Sequence, residues 1–149
     1  MVVREVMTDS VVTAPPHTSV REVAEIMRER NVGAVVLTEA DGGLVGFITD
    51  RDVAVGVVAE GHDGSGPASG HASAPVITGT PDMPLEEAAE TMARFGIRRL
   101  PVVDGERLAG IVTLDDIAVR TSDRELRGSL TKTITRSALP GFYFHQRGG

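Results

Sequence analysis

One skeleton occurs twice in this chain. GFITDRDV (46–53) and GIVTLDDI (110–117) share a glycine, two apolar residues, a threonine, two variable residues, an aspartate and a β-branched apolar residue, and they lie 64 residues apart. An internal repeat of this length constrains the fold more than any other feature, because it makes the chain two copies of one supersecondary unit. The match extends upstream, where Val20, Val23, Ala24, Met27 and Val32 align with Leu85, Ala88, Ala89, Met92 and Ile97 at an offset of 65. After the turn the offset falls to 64, because EADGG is one residue longer than DGER. An indel confined to a turn, with the register kept on either side, is the signature of a structural repeat.

Each copy reads as β-α-β-β-α. A short β-rich piece comes first, SVVT (10–13) or PVIT (75–78). Val20, Val23, Ala24 and Met27 follow at i, i+3, i+4 and i+7, the spacing of one helix face. Ser19 with Glu22 has the spacing of a capping box, and Pro84 stands at the matching start, where a first turn tolerates proline. Two strands joined by a Gly-containing turn come next, AVVLT and LVGFI in the first copy, LPVV and LAGIV in the second. A second helix begins at Thr49 or Thr113. The fold class is therefore α+β, with α/β-type layers. The expected organisation is a first repeat over 1–60, a Gly/Ser-rich linker over 61–70, a second repeat over 71–125 and a C-terminal tail over 126–149. The linker reads as a flexible connector. A unit of about 60 residues is marginal alone, so the two copies are expected to share a core.

The chain has no cysteine, which excludes disulfides, thiol catalysis and Cys-based metal sites. No apolar run reaches the length of a membrane span, and the N-terminal residues lack the apolar core of a secretory signal, so the expectation is a cytoplasmic protein without a membrane partner. The net charge of −6 is unevenly spread. Residues 1–119 carry 9 basic and 19 acidic side chains, a net of −10, whereas residues 120–149 carry 6 and 2, a net of +4. An acidic body argues against nucleic acid as a partner, since phosphate backbones require clustered Lys and Arg. In the basic tail, Leu126, Leu130 and Ile134 lie four apart as on a helix face, and Phe142, Tyr143 and Phe144 read as packing residues.

The chemistry lies in the repeated Thr-x-x-Asp. A helix start has backbone N–H groups without partners and a positive dipole end, which together suit a phosphate. Thr49 or Thr113 can add a hydroxyl, and Asp52 or Asp116, one turn on, can accept from paired sugar hydroxyls. The pair can thus hold a ribose phosphate without catalysis. The same spacing is also a capping box, in which the two side chains satisfy the helix's own amides. Gly46 and Gly110, each three residues before the threonine, are not needed for capping, and they admit the close approach of a ligand or another backbone.

The duplicated unit resembles the CBS (cystathionine-β-synthase) domain, and two in tandem resemble a Bateman module. VMTDSVVT, NVGAVVL, GFITDRDV, IRRLPVVD and GIVTLDDI carry the resemblance, over about residues 6–120. It implies three-stranded-sheet units packed through their sheets with pseudo-twofold symmetry, and clefts between the repeats that take AMP, ADP or ATP, or less commonly S-adenosylmethionine or NAD. By the same resemblance, Thr49 and Thr113 meet phosphate, Asp52 and Asp116 meet ribose, and backbone near Thr13 and Thr78 holds the base. Arg98 and Arg99, ahead of the LPVVD strand where the first repeat has Gly33 and Ala34, match a position used for nucleotide phosphates. A homodimer formed through helix faces is a further implication.

No catalytic residue stands out. The four histidines, His17, His62, His71 and His145, show no metal-binding spacing, and Walker-type lysine loops and G-x-S-x-G elbows are absent, so neither a metal nor a catalytic cofactor is expected. The expected function is that of a stand-alone tandem CBS protein that senses an adenine nucleotide and reports to a regulated protein of unknown identity. The alternative is a ligand-free dimerisation or interaction module in which Thr-x-x-Asp only caps helices. A third, weaker reading is an enzyme acting on a nucleotide.

Overall fold

The computed structural model describes residues 1–74, 76–121, 124–128 and 130. Ile134, the run Phe142–Tyr143–Phe144 and His145 lie outside the described residues, whereas Leu126 and Leu130 are buried. The chain forms two compact units whose membership departs from the order of the repeats. One contains Ser10–Ile77 with Val103–Leu108; the other contains Met1–Asp9, Thr78–Val102 and the described residues from Ala109 onward.

In the unit built on the first repeat, β1 (Thr13–Ala14) pairs in parallel with β2 (Ala34–Thr38), which pairs antiparallel with β3 (Leu44–Thr49). The helix α1 spans Val20–Arg30. Its start is the expected capping box, in which the Glu22 N–H donates to Ser19 Oγ at 3.1 Å and the Ser19 N–H donates to a Glu22 carboxylate oxygen at 3.1 Å. Its end is Asn31 at φ 53°, a left-handed cap that asparagine accepts more readily than most residues. Val23 and Met27 on the helix meet Val35, Leu37 and Ile48 on the sheet, with Ala14 and Ala68 completing the core. Because side chains alternate along a strand, the opposite sheet face carries Thr13, Val36, Phe47 and Thr49.

The Gly/Ser-rich stretch between the repeats is not the free connector its composition implies. Gly66 and Gly64 carbonyls accept from the Val20 and Arg21 N–H groups, each at 3.0 Å, and Ala68, fully buried, donates to the Thr18 carbonyl at 2.8 Å. The first turn of α1 has N–H groups with no partner inside the helix, and the connector's carbonyls supply them. Gly64 adopts φ 82° to do so, with Arg21 atoms 3.5–3.8 Å from where a side chain would begin.

The second repeat gives α3 (Leu85–Phe95), β4 (Arg99–Asp104), β5 (Arg107–Thr113) and α4 (Leu114–Arg120). Leu85, Ala88, Ala89 and Met92 are all buried, as their spacing requires. Gly96 caps α3 at φ 64°, at the position aligned with Asn31. Among the described residues, the short strand expected at 75–78 is reduced to one parallel bridge between Gly79 and Val102. Its aligned counterpart β1 is held by the Val36 N–H, which donates to the Val12 carbonyl at 3.1 Å. The residue aligned with Val36 is Pro101, which has no N–H, so this bond cannot form.

The segments that lead into the repeats are exchanged between the repeats, each pairing lying within one unit. Thr8 and Ile111 exchange two backbone hydrogen bonds of 2.9 Å, so the start of the chain pairs with the last strand. Ser73, aligned with Thr8 at the offset of 65, makes the same pairing with Phe47 through bonds of 2.9 and 3.3 Å. The second helix also differs between the copies. In the first it is α2 (Asp50–Val53) running into a π-helical turn over Ala54–Val58, and in the second it is the regular α4.

Candidate functional site

Each Thr-x-x-Asp stands where the last strand turns into the second helix. In the first repeat the Thr49 N–H donates to Asp52 Oδ2 at 2.8 Å, and the Asp52 N–H donates to Thr49 Oγ1 at 3.2 Å. In the second repeat the Thr113–Asp116 pair makes the same two bonds, both 3.0 Å. Both motifs are therefore capping boxes. The next amide is satisfied as well: the Asp50 N–H donates to the Gly33 carbonyl at 2.9 Å and the Leu114 N–H to the Arg98 carbonyl at 3.1 Å. In the first repeat the Asp50 carboxylate also takes the Arg51 N–H at 2.9 Å.

These bonds correct one step of the sequence argument. Of the N–H groups expected to await an anion, those of Asp50, Arg51 and Asp52 in the first repeat and those of Leu114 and Asp116 in the second are already engaged by the chain, and only the Asp115 N–H has no partner among the described residues. What else remains for a ligand is side-chain capacity. Among the described residues, neither threonine hydroxyl hydrogen has an acceptor, and Oδ1 of each aspartate takes no hydrogen bond. A threonine can donate one hydrogen bond and an aspartate can accept from two hydroxyls. The four side chains are half-buried, neither sealed in the core nor fully solvated.

The glycines have a structural explanation too. A Cβ on Gly110 would stand 2.8 Å from the Thr8 carbonyl oxygen and 2.9 Å from Met7 Sδ. A Cβ on Gly46 would stand 3.2 Å from the Ala72 Cβ. The close approach these glycines permit is that of the exchanged leading segments, not of a ligand. The repetition of Gly46 and Gly110 thus gives no independent support to a ligand site.

The remaining candidates divide by unit. Thr13 and Thr49 share the sheet face opposite the core: Thr13 lies opposite Val36, Val36 opposite Phe47, and Thr49 two residues beyond Phe47. Strand spacing and rise put their Cα atoms roughly 12 Å apart. Thr78, Arg98, Arg99, Thr113 and Asp116 all belong to the other unit. Leu100 and Val112 are fully buried, so the alternation turns Arg99 and Thr113 to the opposite, half-buried side. Arg98 takes a different course. Its guanidinium pairs with Asp115 Oδ1 at 3.6 Å on the first turn of α4, with about half of the arginine side chain exposed. This pair escaped the sequence argument, yet a signal was present: Asp115 aligns with Arg51, so the charge at that helix position inverts between the repeats. No group of three or more His, Cys, Asp or Glu that could hold a metal ion occurs among the described residues. No helix among them is long and apolar enough to cross a membrane.

Comparison with known proteins places this geometry in a family. The CBS domain model matches residues 3–58 and again 70–132. The CBS domain-containing protein YhcV of Bacillus subtilis is 42% identical over 137 residues, covering 92% of this chain and 97% of that protein. Among solved structures, the CBS domain protein PAE2072 from Pyrobaculum aerophilum complexed with AMP superposes with a TM-score of 0.76 at 30% identity, covering 89% of this chain and 99% of that one. The CBS domain pair of protein MJ0100, in complex with 5′-methylthioadenosine and S-adenosyl-L-methionine, gives a TM-score of 0.72 at 30% identity over 80% of this chain and 94% of that one. The chain belongs to the CBS domain family and carries the domain twice.

Proposed function

We propose that this CBS pair is a regulatory module that binds an adenosine-type ligand, AMP, ADP or ATP, through one or both Thr-x-x-Asp sites. The single observation that carries the reading is the spare capacity at each cap. Among the described residues, one threonine O–H and one aspartate Oδ1 have no partner at the same place in both repeats, and they match in kind a phosphate acceptor and a sugar diol. The relatives complexed with AMP and with S-adenosyl-L-methionine support the adenosine moiety as the common element. Asp52 and Asp116 accept from ribose hydroxyls, Thr49 and Thr113 donate to phosphate, and backbone at Thr13 and Thr78 borders the base. Arg99 and Arg98 supply cations in the second repeat. Nothing in this arrangement activates a nucleophile, so the reading is binding and not catalysis.

Regulation follows from differential binding. A ligand that favours one arrangement of the repeats shifts the population toward it, and a partner protein reads that shift. Val55 and Val58 after α2, Phe95 at the end of α3 and Val119 on α4 are large apolar residues left about half or more exposed, and they favour a homodimer through helix faces.

One observation favours a second reading, an interaction module with no ligand: both capping boxes are closed as they stand, each motif's threonine and aspartate bonding the other's backbone N–H. A thermal-unfolding scan with AMP, ADP, ATP, NAD and S-adenosylmethionine separates the two. A ligand at 100 times its Kd adds about 2.7 kcal/mol, a midpoint rise of roughly 5–10 °C for a chain of this size. A rise with an adenosine ligand supports the sensor. Flat midpoints throughout, with oligomerisation lost on removal of residues 131–149, support the interaction module.

A further inference from the structure

The two Thr-x-x-Asp sites differ in how charge is arranged around them, and this difference bears on which ligands the second can take. The inference rests on the binding reading above. In the first repeat the entry to β2 is uncharged, Gly33 and Ala34, and the helix start carries Asp50, Arg51 and Asp52. In the second, the aligned entry to β4 carries Arg98 and Arg99, and the helix start carries Leu114, Asp115 and Asp116. The cation has moved from the helix to the strand entry, and an acid has taken its former place. The structure shows the consequence. The Arg98 backbone is tied to the start of α4, because its carbonyl accepts from the Leu114 N–H at 3.1 Å. Its guanidinium is drawn to Asp115 Oδ1 at 3.6 Å. The arginine tied to this helix start is thus engaged by a carboxylate from the residue between the two motif side chains.

We propose that Asp115 is a specificity-determining residue of the second repeat: by engaging Arg98, it sets that site for adenosine ligands bearing little or no phosphate charge and against polyphosphates. With Arg98 and Arg99 opposed by Asp115 and Asp116, the formal charge contributed by these four residues is zero. A triphosphate must either take Arg98 from Asp115 or meet the carboxylate's repulsion, and each further negative charge adds to that cost. A nucleoside or monophosphate has little to lose. The Asp115 side chain is 78% exposed, so solvent and salt screen the effect. The expected discrimination is therefore several-fold, not many orders of magnitude.

The test is a set of dissociation constants for adenosine, AMP and ATP, measured at low salt and again at 0.5 M salt, on the wild-type chain, D115N and R98Q. The expected result is that D115N tightens ATP by about three- to tenfold and AMP by less, leaves adenosine unchanged, and loses this gain at high salt. R98Q weakens ATP while sparing adenosine. An ATP-to-AMP ratio that D115N does not move overturns the proposal and leaves the binding reading standing. If the wild-type chain binds none of the three, the binding reading fails and the proposal with it.

Discussion

Thr8 and Ile111 face each other across two backbone hydrogen bonds of 2.9 Å, although 103 positions separate them in the chain. Their pairing brings the Thr8 carbonyl to within 2.8 Å of where a side chain on Gly110 would start. The residue before the last strand's apolar pair is glycine because the leading segment occupies the space a side chain needs.

A graded cost follows. In Gly110→Ala the new methyl meets a backbone oxygen and the Met7 sulfur, and backbone moves less readily than a side-chain end. We expect a loss of about 2–3 kcal/mol in urea denaturation. In Gly46→Ala the nearest atom is the Ala72 methyl at 3.2 Å, which can yield, and the expected loss is about 1 kcal/mol. Equal costs at the two positions would show that the exchanged segments do not press on the strands as described.

The threonine caps should be measurable without any ligand. Thr49→Ala and Thr113→Ala each remove the acceptor for an N–H at the helix start, and each should cost about 1 kcal/mol by chemical denaturation. Thr49→Ser and Thr113→Ser keep the oxygen and should stay close to wild type. The contrast between alanine and serine identifies the hydroxyl, rather than lost packing, as the source.

Much of the fold could be read from the sequence because the repeat supplied two independent copies of each signal. Val20, Val23 and Met27 fixed one helix face, and Leu85, Ala88 and Met92 repeated it. The Ser19–Glu22 box was visible as a spacing and occurs as written. The features that could not be read depend on tertiary partners. Gly64 and Gly66 look like a flexible connector by composition, yet their carbonyls serve the start of α1. The lost third strand of the second repeat is a matter of one absent N–H at Pro101, legible only once Val36 is seen to donate to Val12. At the candidate site the residue types were evident, but the engagement of the first amides by the Gly33 and Arg98 carbonyls was not, because those acceptors are distant in sequence.

Gly96 and Asn31 occupy aligned left-handed caps, at φ 64° and φ 53°. Gly96→Ala should cost about 1 kcal/mol, the penalty of a Cβ in that region, since no neighbouring atom of the described residues lies within 4 Å to add a clash. Asn31→Gly should change stability by a few tenths of a kcal/mol at most, because asparagine already tolerates the conformation. Thermal denaturation of the pair checks both.

We propose that Asp52 and Asp116 hold a ribose with the oxygen their caps leave spare, and calorimetric titration of AMP into the wild-type chain, D52A and D116A decides whether they do. Hydrogen bonds to a charged carboxylate contribute about 1.5–3 kcal/mol, so loss of the working aspartate should weaken AMP by about 10- to 100-fold. We expect saturable binding to the wild-type chain and a loss of that size in at least one variant, with cooperative unfolding retained in both. AMP that binds both variants as tightly as wild type would contradict the ribose assignment, and a wild-type chain that binds neither AMP, ADP nor ATP would leave helix capping as the sole role of the two motifs.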